Sequence, residues 1–188
     1  MQVYVGQKKY GFDKLYRELF SFLFFAVFIL FSVLPIFAEL LPIKTYTVAD
    51  GLQRDEVKRI RRDARGFMWF CTDDGISRFD GVGMTNFTTA DGLPHRIVND
   101  FLETKSGAIY IATDKGLALL NPFGLRGSTQ NPLFTVLLPG NPKAEKIVTL
   151  MQDKAGQVWV GTSAGLYKLI EAGRDVSFES VPLGNPLV

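Results

Sequence analysis

Few side chains in this sequence have the types and spacing that chemistry requires. The one histidine, His95, sits in Asp91-Gly-Leu-Pro-His-Arg96 beside Pro94. A phosphoaccepting histidine needs a helix, and a histidine metal site needs a second imidazole or a thiolate close by. The loop around His95 offers neither, so an exposed loop residue is expected. The one cysteine, Cys71, lies in the apolar run Phe67-Met68-Trp69-Phe70-Cys71, which excludes an intramolecular disulfide. A small buried hydrophobe is expected there, because activating a thiol takes an electropositive, partly exposed setting. Asp73-Asp74 with Asp80 could suggest a calcium loop. The alternating oxygen ligands and the closing glutamate are missing, and a solvated hairpin turn is expected. Lys58, Arg59, Arg61 and Arg62 form a basic cluster that could meet an anionic ligand or lipid headgroups. Arg59 and Arg61 alternate with Ile60, as on the wet face of an ordinary strand. No nucleophile with its base and no pair of carboxylates stands out, so no catalytic, cofactor-binding or metal-binding residue is expected.

The elements that would position any such group come in three copies. One runs Val57 to Phe79, with Asp63-Ala-Arg-Gly66, Trp69 and Thr72-Asp-Asp-Gly75 as landmarks. The next runs Val98 to Leu120, with Thr104-Lys-Ser-Gly107, Tyr110 and Thr113-Asp-Lys-Gly116. The last runs Ile147 to Leu169, with Asp153-Lys-Ala-Gly156, Trp159 and Thr162-Ser-Ala-Gly165. The first spacing is 41 residues (107 − 66) and the second 49 (156 − 107), and every landmark keeps step. A second block, Tyr46-Thr-Val-Ala-Asp50-Gly-Leu52, returns as Phe87-Thr-Thr-Ala-Asp91-Gly-Leu93 at the first spacing. The longer second spacing falls in Asn121 to Lys146, rich in Pro, Gly and Asn, and reads as a lengthened loop.

Within each copy a Gly-containing turn leads into a short run of Trp, Tyr, Phe, Val and Ile, and a Thr-x-x-Gly hairpin leads out to another. That grammar is a meander of about four strands. The apolar runs are too short and too Gly-bounded for helical solenoids. Both faces of the central run are apolar, with Val158 and Val160 opposite Trp159, so sheets stacked face to face should bury both sides. The expected fold class is all-β, a partial β-propeller of about three four-stranded antiparallel blades over residues 42–188.

The first forty residues obey a different rule. From Leu19 to Ala38 no residue is charged, and twenty such residues as a helix would span about 30 Å, the depth of a bilayer core. Lys8, Lys9, Lys14 and Arg17 precede the run, so residues 1–18 read as a cytoplasmic basic flank and the rest as exported. Ile36-Phe37-Ala38 before Glu39 resembles a signal cleavage site with Pro35 ahead of it, whereas the length of the run suits a retained anchor. Both fates stay open, giving either an inner-membrane protein with a periplasmic domain or a periplasmic one. With 47% apolar and 21% charged residues the chain is foldable, and 21 basic against 19 acidic residues exclude a nucleic-acid surface.

The Gly-x-x-Trp-x-x-Thr-x-x-Gly core, followed by an aliphatic strand, resembles the two-component regulator propeller repeat. Trp69 and Trp159 with their Asp-x-x-Gly turns match best, Gly161 to Tyr167 is the closest single copy, and the resemblance covers about residues 42 to 170. The positions that carry it are Gly66, Trp69, Thr72 and Gly75; Gly107, Tyr110, Thr113 and Gly116; and Gly156, Trp159, Thr162 and Gly165. The second copy departs at Thr104 and Tyr110, changes expected to leave the strand and turn physics unaltered.

The resemblance implies the periplasmic sensor region of a membrane receptor, commonly a hybrid histidine kinase and sometimes a diguanylate cyclase, with carbohydrate fragments as frequent ligands. The chain is then an N-terminal fragment ending before any output domain, and a closed ring needs at least about four blades. Expected partners are the inner membrane, a carbohydrate or other small extracellular ligand, and further blades or a second copy. Rival readings are an envelope propeller enzyme acting on polysaccharide and a freestanding protein-binding propeller.

Overall fold

Threonine and glycine close each hairpin of the repeat by the same bonds. The hydroxyl of Thr72 donates to the carbonyl of Gly75 and accepts the N–H of Asp74; Thr113 does this with Gly116 and Lys115, and Thr162 with Gly165 and Ala164. At Gly116 the requirement for glycine is twofold. Its φ is +115°, and a Cβ would stand 2.8 Å from the Leu138 side chain.

The computed structural model describes residues 10–32, 42–172 and 175–182. The chain divides after Lys44 into two units, each described here by itself. In the larger unit the described residues form three four-stranded antiparallel sheets, each a plain meander. The first holds β1 (Val57–Arg62), β2 (Met68–Thr72), β3 (Gly75–Phe79) and β4 (Met84–Phe87). The second holds β5 (Val98–Glu103), β6 (Ile109–Thr113), β7 (Gly116–Leu120) and β8 (Phe134–Leu137). The third holds β9 (Ile147–Gln152), β10 (Val158–Thr162), β11 (Gly165–Ala172) and β12 (Asp175–Val181). The three repeat cores supply the first three strands of each sheet. The block Phe87–Leu93 bridges sheets: it ends β4, turns through Thr88 and Asp91 as a capping box, and buries Leu93.

Two apolar cores lie between the sheets, one per interface. Trp69, Cys71, Ile76 and Phe87 of the first sheet meet Val98, Phe101, Ile109 and Ile111 of the second. Tyr110, Ala112 and Leu117 of the second meet Ile147, Leu150, Val158 and Val160 of the third. Because strand side chains alternate in direction, β6 sends Ile109 and Ile111 to one core and Tyr110 and Ala112 to the other. It is buried along its whole length. The outer sheets differ from expectation. Only one face of β2 and of β10 is buried, so Met68, Phe70 and Trp159 are half-buried while Trp69 is fully enclosed. A sheet is covered on both faces only when it has a neighbour on each side, and among the described residues the middle sheet alone does.

The smaller unit contains α1 (Tyr10–Ser32), with residues 16 to 29 exposed. A membrane helix over 19–38 is not supported in that form. The helix begins nine residues earlier (19 − 10) and takes in Asp13, Lys14, Arg17 and Glu18 of the expected flank. No helix among the described residues is long and apolar enough to cross a membrane. The remainder of the apolar run, with Pro35 and the Ile36-Phe37-Ala38 motif, lies outside the described residues.

Candidate functional site

The repeat's Asp and Trp are partners. Asp63 Oδ1 accepts the N–H of Phe67 and its Oδ2 accepts the Trp69 indole N–H, both at 2.9 Å. Asp153 does the same with Gln157 and Trp159, again at 2.9 Å. The indole hydrogen bond, with main-chain N–H groups of the turn, holds the Asp153 carboxyl below the usual carboxylate range. Burying a tryptophan strands its N–H unless an acceptor comes with it, and the turn six residues upstream provides one. The two departures of the second repeat therefore belong together. Tyr110 has no indole N–H, so Thr104 needs only to close the turn, which its hydroxyl does with the N–H and carbonyl of Ala108. The Tyr110 hydroxyl instead donates to Glu171 Oε1 of the third sheet at 2.6 Å. The expectation that these changes leave the physics unaltered is corrected here: a bond inside one repeat has become a bond between two.

A further node was invisible in the repeat pattern. Asp100 on β5 is fully buried, where its Oδ2 accepts the Thr149 hydroxyl at 2.9 Å and the Leu150 N–H at 3.1 Å from β9. Its Oδ1 accepts from Arg61 of β1 at 3.1 Å and from the Phe101 N–H. One carboxylate thus joins the first strands of all three sheets. Arg61 belongs to the cluster expected to face solvent; it is exposed, but it neutralises a buried charge. Lys58 likewise pairs with Asp73. Side chains also satisfy turns across the interfaces: Glu103 accepts the Ala64 N–H, and Gln152 accepts the Lys105 N–H.

The groups that sequence singled out for chemistry are placed as follows. His95 is half-buried, not exposed, because its Nδ1 accepts the Ile97 N–H at 3.2 Å and folds the ring against the loop. Asp74 binds Arg54 at 2.7 Å and Arg96 at 2.8 Å, which hold it below the usual range. Asp80 accepts the N–H groups of Gly83 and Val82. No group of three or more potential metal ligands occurs among the described residues. Cys71 is completely buried in the first core, and burial, with the Asp100 charge adding, pushes its thiol up to about 12. A thiol so protected should not react with a disulfide reagent at pH 8 in the folded protein, and should react fully once urea unfolds it. Complete labelling under native conditions would refute this packing.

The lengthened loop does more than join strands. Between Asn121 and Leu133 it is tied by its own bonds, Asn121 N–H to the Leu133 carbonyl and Leu125 N–H to the Asn131 carbonyl, both at 2.8 Å. Asn131 Nδ2 adds a bond to the Phe123 carbonyl at 2.7 Å. From this loop Arg126 reaches back to the first sheet, to Asp91 at 2.8 Å and the Asn86 carbonyl at 3.0 Å, over the Phe87 ring. The loop thereby walls a cleft of about 610 Å³ between the first two sheets. Phe87, Leu120 and Leu133 give it an apolar side, and Arg65, Arg78 and Arg126 a cationic one.

Residues 142–164 match the family model described as two component regulator propeller. None of the curated proteins matches the chain. Among solved structures, the extracellular domain of the hybrid two component system BT3049 from B. thetaiotaomicron aligns at 21% identity and a TM-score of 0.59, over 73% of this chain and 19% of that one. That of BT4673 from the same organism aligns at 21% and 0.54, over 66% and 17%. A virginiamycin B lyase from Staphylococcus aureus aligns at 14% and 0.50, over 76% and 44%. The chain thus spans under a fifth of the length of the first two neighbours, and at these identities the likeness is one of fold. Residues 142–164 thus match the two-component regulator propeller repeat, and the chain has a propeller-like fold shared with extracellular domains of hybrid two-component systems.

Proposed function

We propose that this chain is the extracytoplasmic, ligand-sensing propeller part of a two-component receptor, a binding region and not an enzyme. The observation that carries the reading is the coincidence of the repeat at 142–164 with a fold shared with extracellular domains of hybrid two-component systems. The charge-free run from Leu19 to Ala38 behind Lys8, Lys9, Lys14 and Arg17 supports export, either as a cleaved signal or as an inner-membrane anchor. The cleft between the first two sheets supports ligand binding, since its volume lies within the roughly 300–1,000 Å³ of small-molecule sites. The half-buried outer faces around Met68, Phe70 and Trp159 suit further blades or a second copy.

The full chain, expressed in a Gram-negative host, should fractionate with the envelope and be digested by protease added to spheroplasts. Recovery in the cytosol, protected from that protease, would overturn the reading.

A further inference from the structure

We propose that the cleft between the first two sheets binds a small organic acid, with the carboxylate on Arg78 and Arg65 and the hydrocarbon body against Leu120 and Leu133. The proposal rests on the sensor reading for what binding is for; the binding itself is testable alone. Of the charged groups lining the cleft, Arg126 is neutralised by Asp91, and Glu103 accepts the Ala64 N–H. Arg65 and Arg78 make no ion pair among the described residues, so with Glu103 as the one carboxylate of the lining the cleft keeps an excess of positive charge.

Arg78 is also held ready. Its guanidinium carbon lies 4.8 Å from the centre of the Phe67 ring, 5.8 Å from that of Trp69 and 5.9 Å from that of Phe87, while Arg65 lies 5.4 Å from that of Phe67. Aromatic faces attract the cation and limit its freedom, but they cannot accept the in-plane hydrogen bonds that a guanidinium donates. The Arg78 Nε is buried and has no hydrogen-bond partner. A ligand would meet the terminal N–H groups, which donate no hydrogen bond among the described residues, and a carboxylate fits the planar fork of a guanidinium. In the third sheet Lys168 stands 5.2 Å from the Trp159 ring at the matching repeat position, but among the described residues no loop builds an opposite wall there. The apolar wall is the contribution of the loop, and it selects an acid with a hydrocarbon or ring body over a bare anion.

Benzoate tests this, with benzamide as its neutral counterpart and acetate as the carboxylate without a body, titrated into the full chain by calorimetry. Benzoate should bind saturably, and benzamide and acetate each at least about tenfold more weakly. Arg78→Gln and Arg65→Gln should each weaken benzoate by at least about tenfold and leave benzamide unchanged. Arg65 is exposed in a turn, so its variant carries the test should Arg78→Gln fail to fold. No saturable benzoate binding, equal binding of benzamide or acetate, or full affinity in Arg65→Gln would overturn the proposal. Export without binding removes this proposal alone, and binding without export removes the sensor reading alone.

Discussion

Trp69→Ala is expected to lower the unfolding free energy by about 3–5 kcal/mol, and Trp159→Ala by only about 1–2 kcal/mol. The two tryptophans hold the same repeat position and bind the same aspartate, so sequence alone would assign them one cost. The difference comes from the neighbour. Trp69 is fully buried, stacked on Phe101 of the next sheet at 4.9 Å and on Phe87 at 5.7 Å. Removing its ring opens a cavity at the middle of the first core and leaves Asp63 Oδ2 without its donor. On the outward face of its sheet Trp159 is flanked by its cross-strand neighbours Lys168 and Met151, and the ring is half-buried. Trp69→Phe should fall between, since most of the ring volume stays and the indole bond is lost. Urea melts of the full chain followed by far-ultraviolet circular dichroism would measure all three. Equal losses for the two alanine variants would mean that the outer face of the third sheet is covered as well as the first interface is.

The second large effect is expected at Asp100. Asp100→Ala removes the acceptor of the Thr149 hydroxyl and of two main-chain N–H groups, those of Phe101 and Leu150, in a fully buried setting. Donors left unsatisfied in the interior cost far more than an exposed ion pair contributes, and a loss of about 3–5 kcal/mol is expected. Arg61→Ala should cost less, about 1–3 kcal/mol, because the buried Asp100 loses its counter-charge but keeps the Thr149 hydroxyl and two main-chain N–H donors. Asp100→Asn retains one acceptor oxygen and should lose about 1–2 kcal/mol. The same melts decide the matter: an Asp100→Ala loss no greater than that of Arg61→Ala would show that the carboxylate does not join the three sheets.

Much of the fold was legible before any coordinates. Turn glycines, the threonine of each hairpin and the Asp–Trp pair of the first and third copies are local devices, and each bonds residues within six positions of itself. Their recurrence therefore located the first three strands of every sheet. The fourth strands were harder to see, because the turns that lead into β4, β8 and β12 do not recur from copy to copy and the strands are defined by pairing to β3, β7 and β11. The expected membrane helix over 19–38 is not supported: α1 runs back into charged residues that hydropathy assigns to a flank, and no helix among the described residues is long and apolar enough to cross a membrane.

Sequence by itself determined the repeat, its period and its hairpins, because these depend on residue type and short spacing. Tertiary structure decided which copies of an equivalent residue are buried, which side chains cross between sheets and where a cleft forms. Ile60, Phe101 and Leu150 share one repeat position, yet Ile60 is 51% exposed and Phe101 only 2%, because a preceding sheet covers the second and not the first. Asp100 looks like any strand aspartate until β1 and β9 arrive on either side of it. Arg65 and Arg78 meet over Phe67 in the first sheet, and Arg126 joins them because the lengthened loop folds back over the first interface. Periodicity records what every repeat shares, whereas burial, charge neutralisation and cavities arise from what each repeat is packed against.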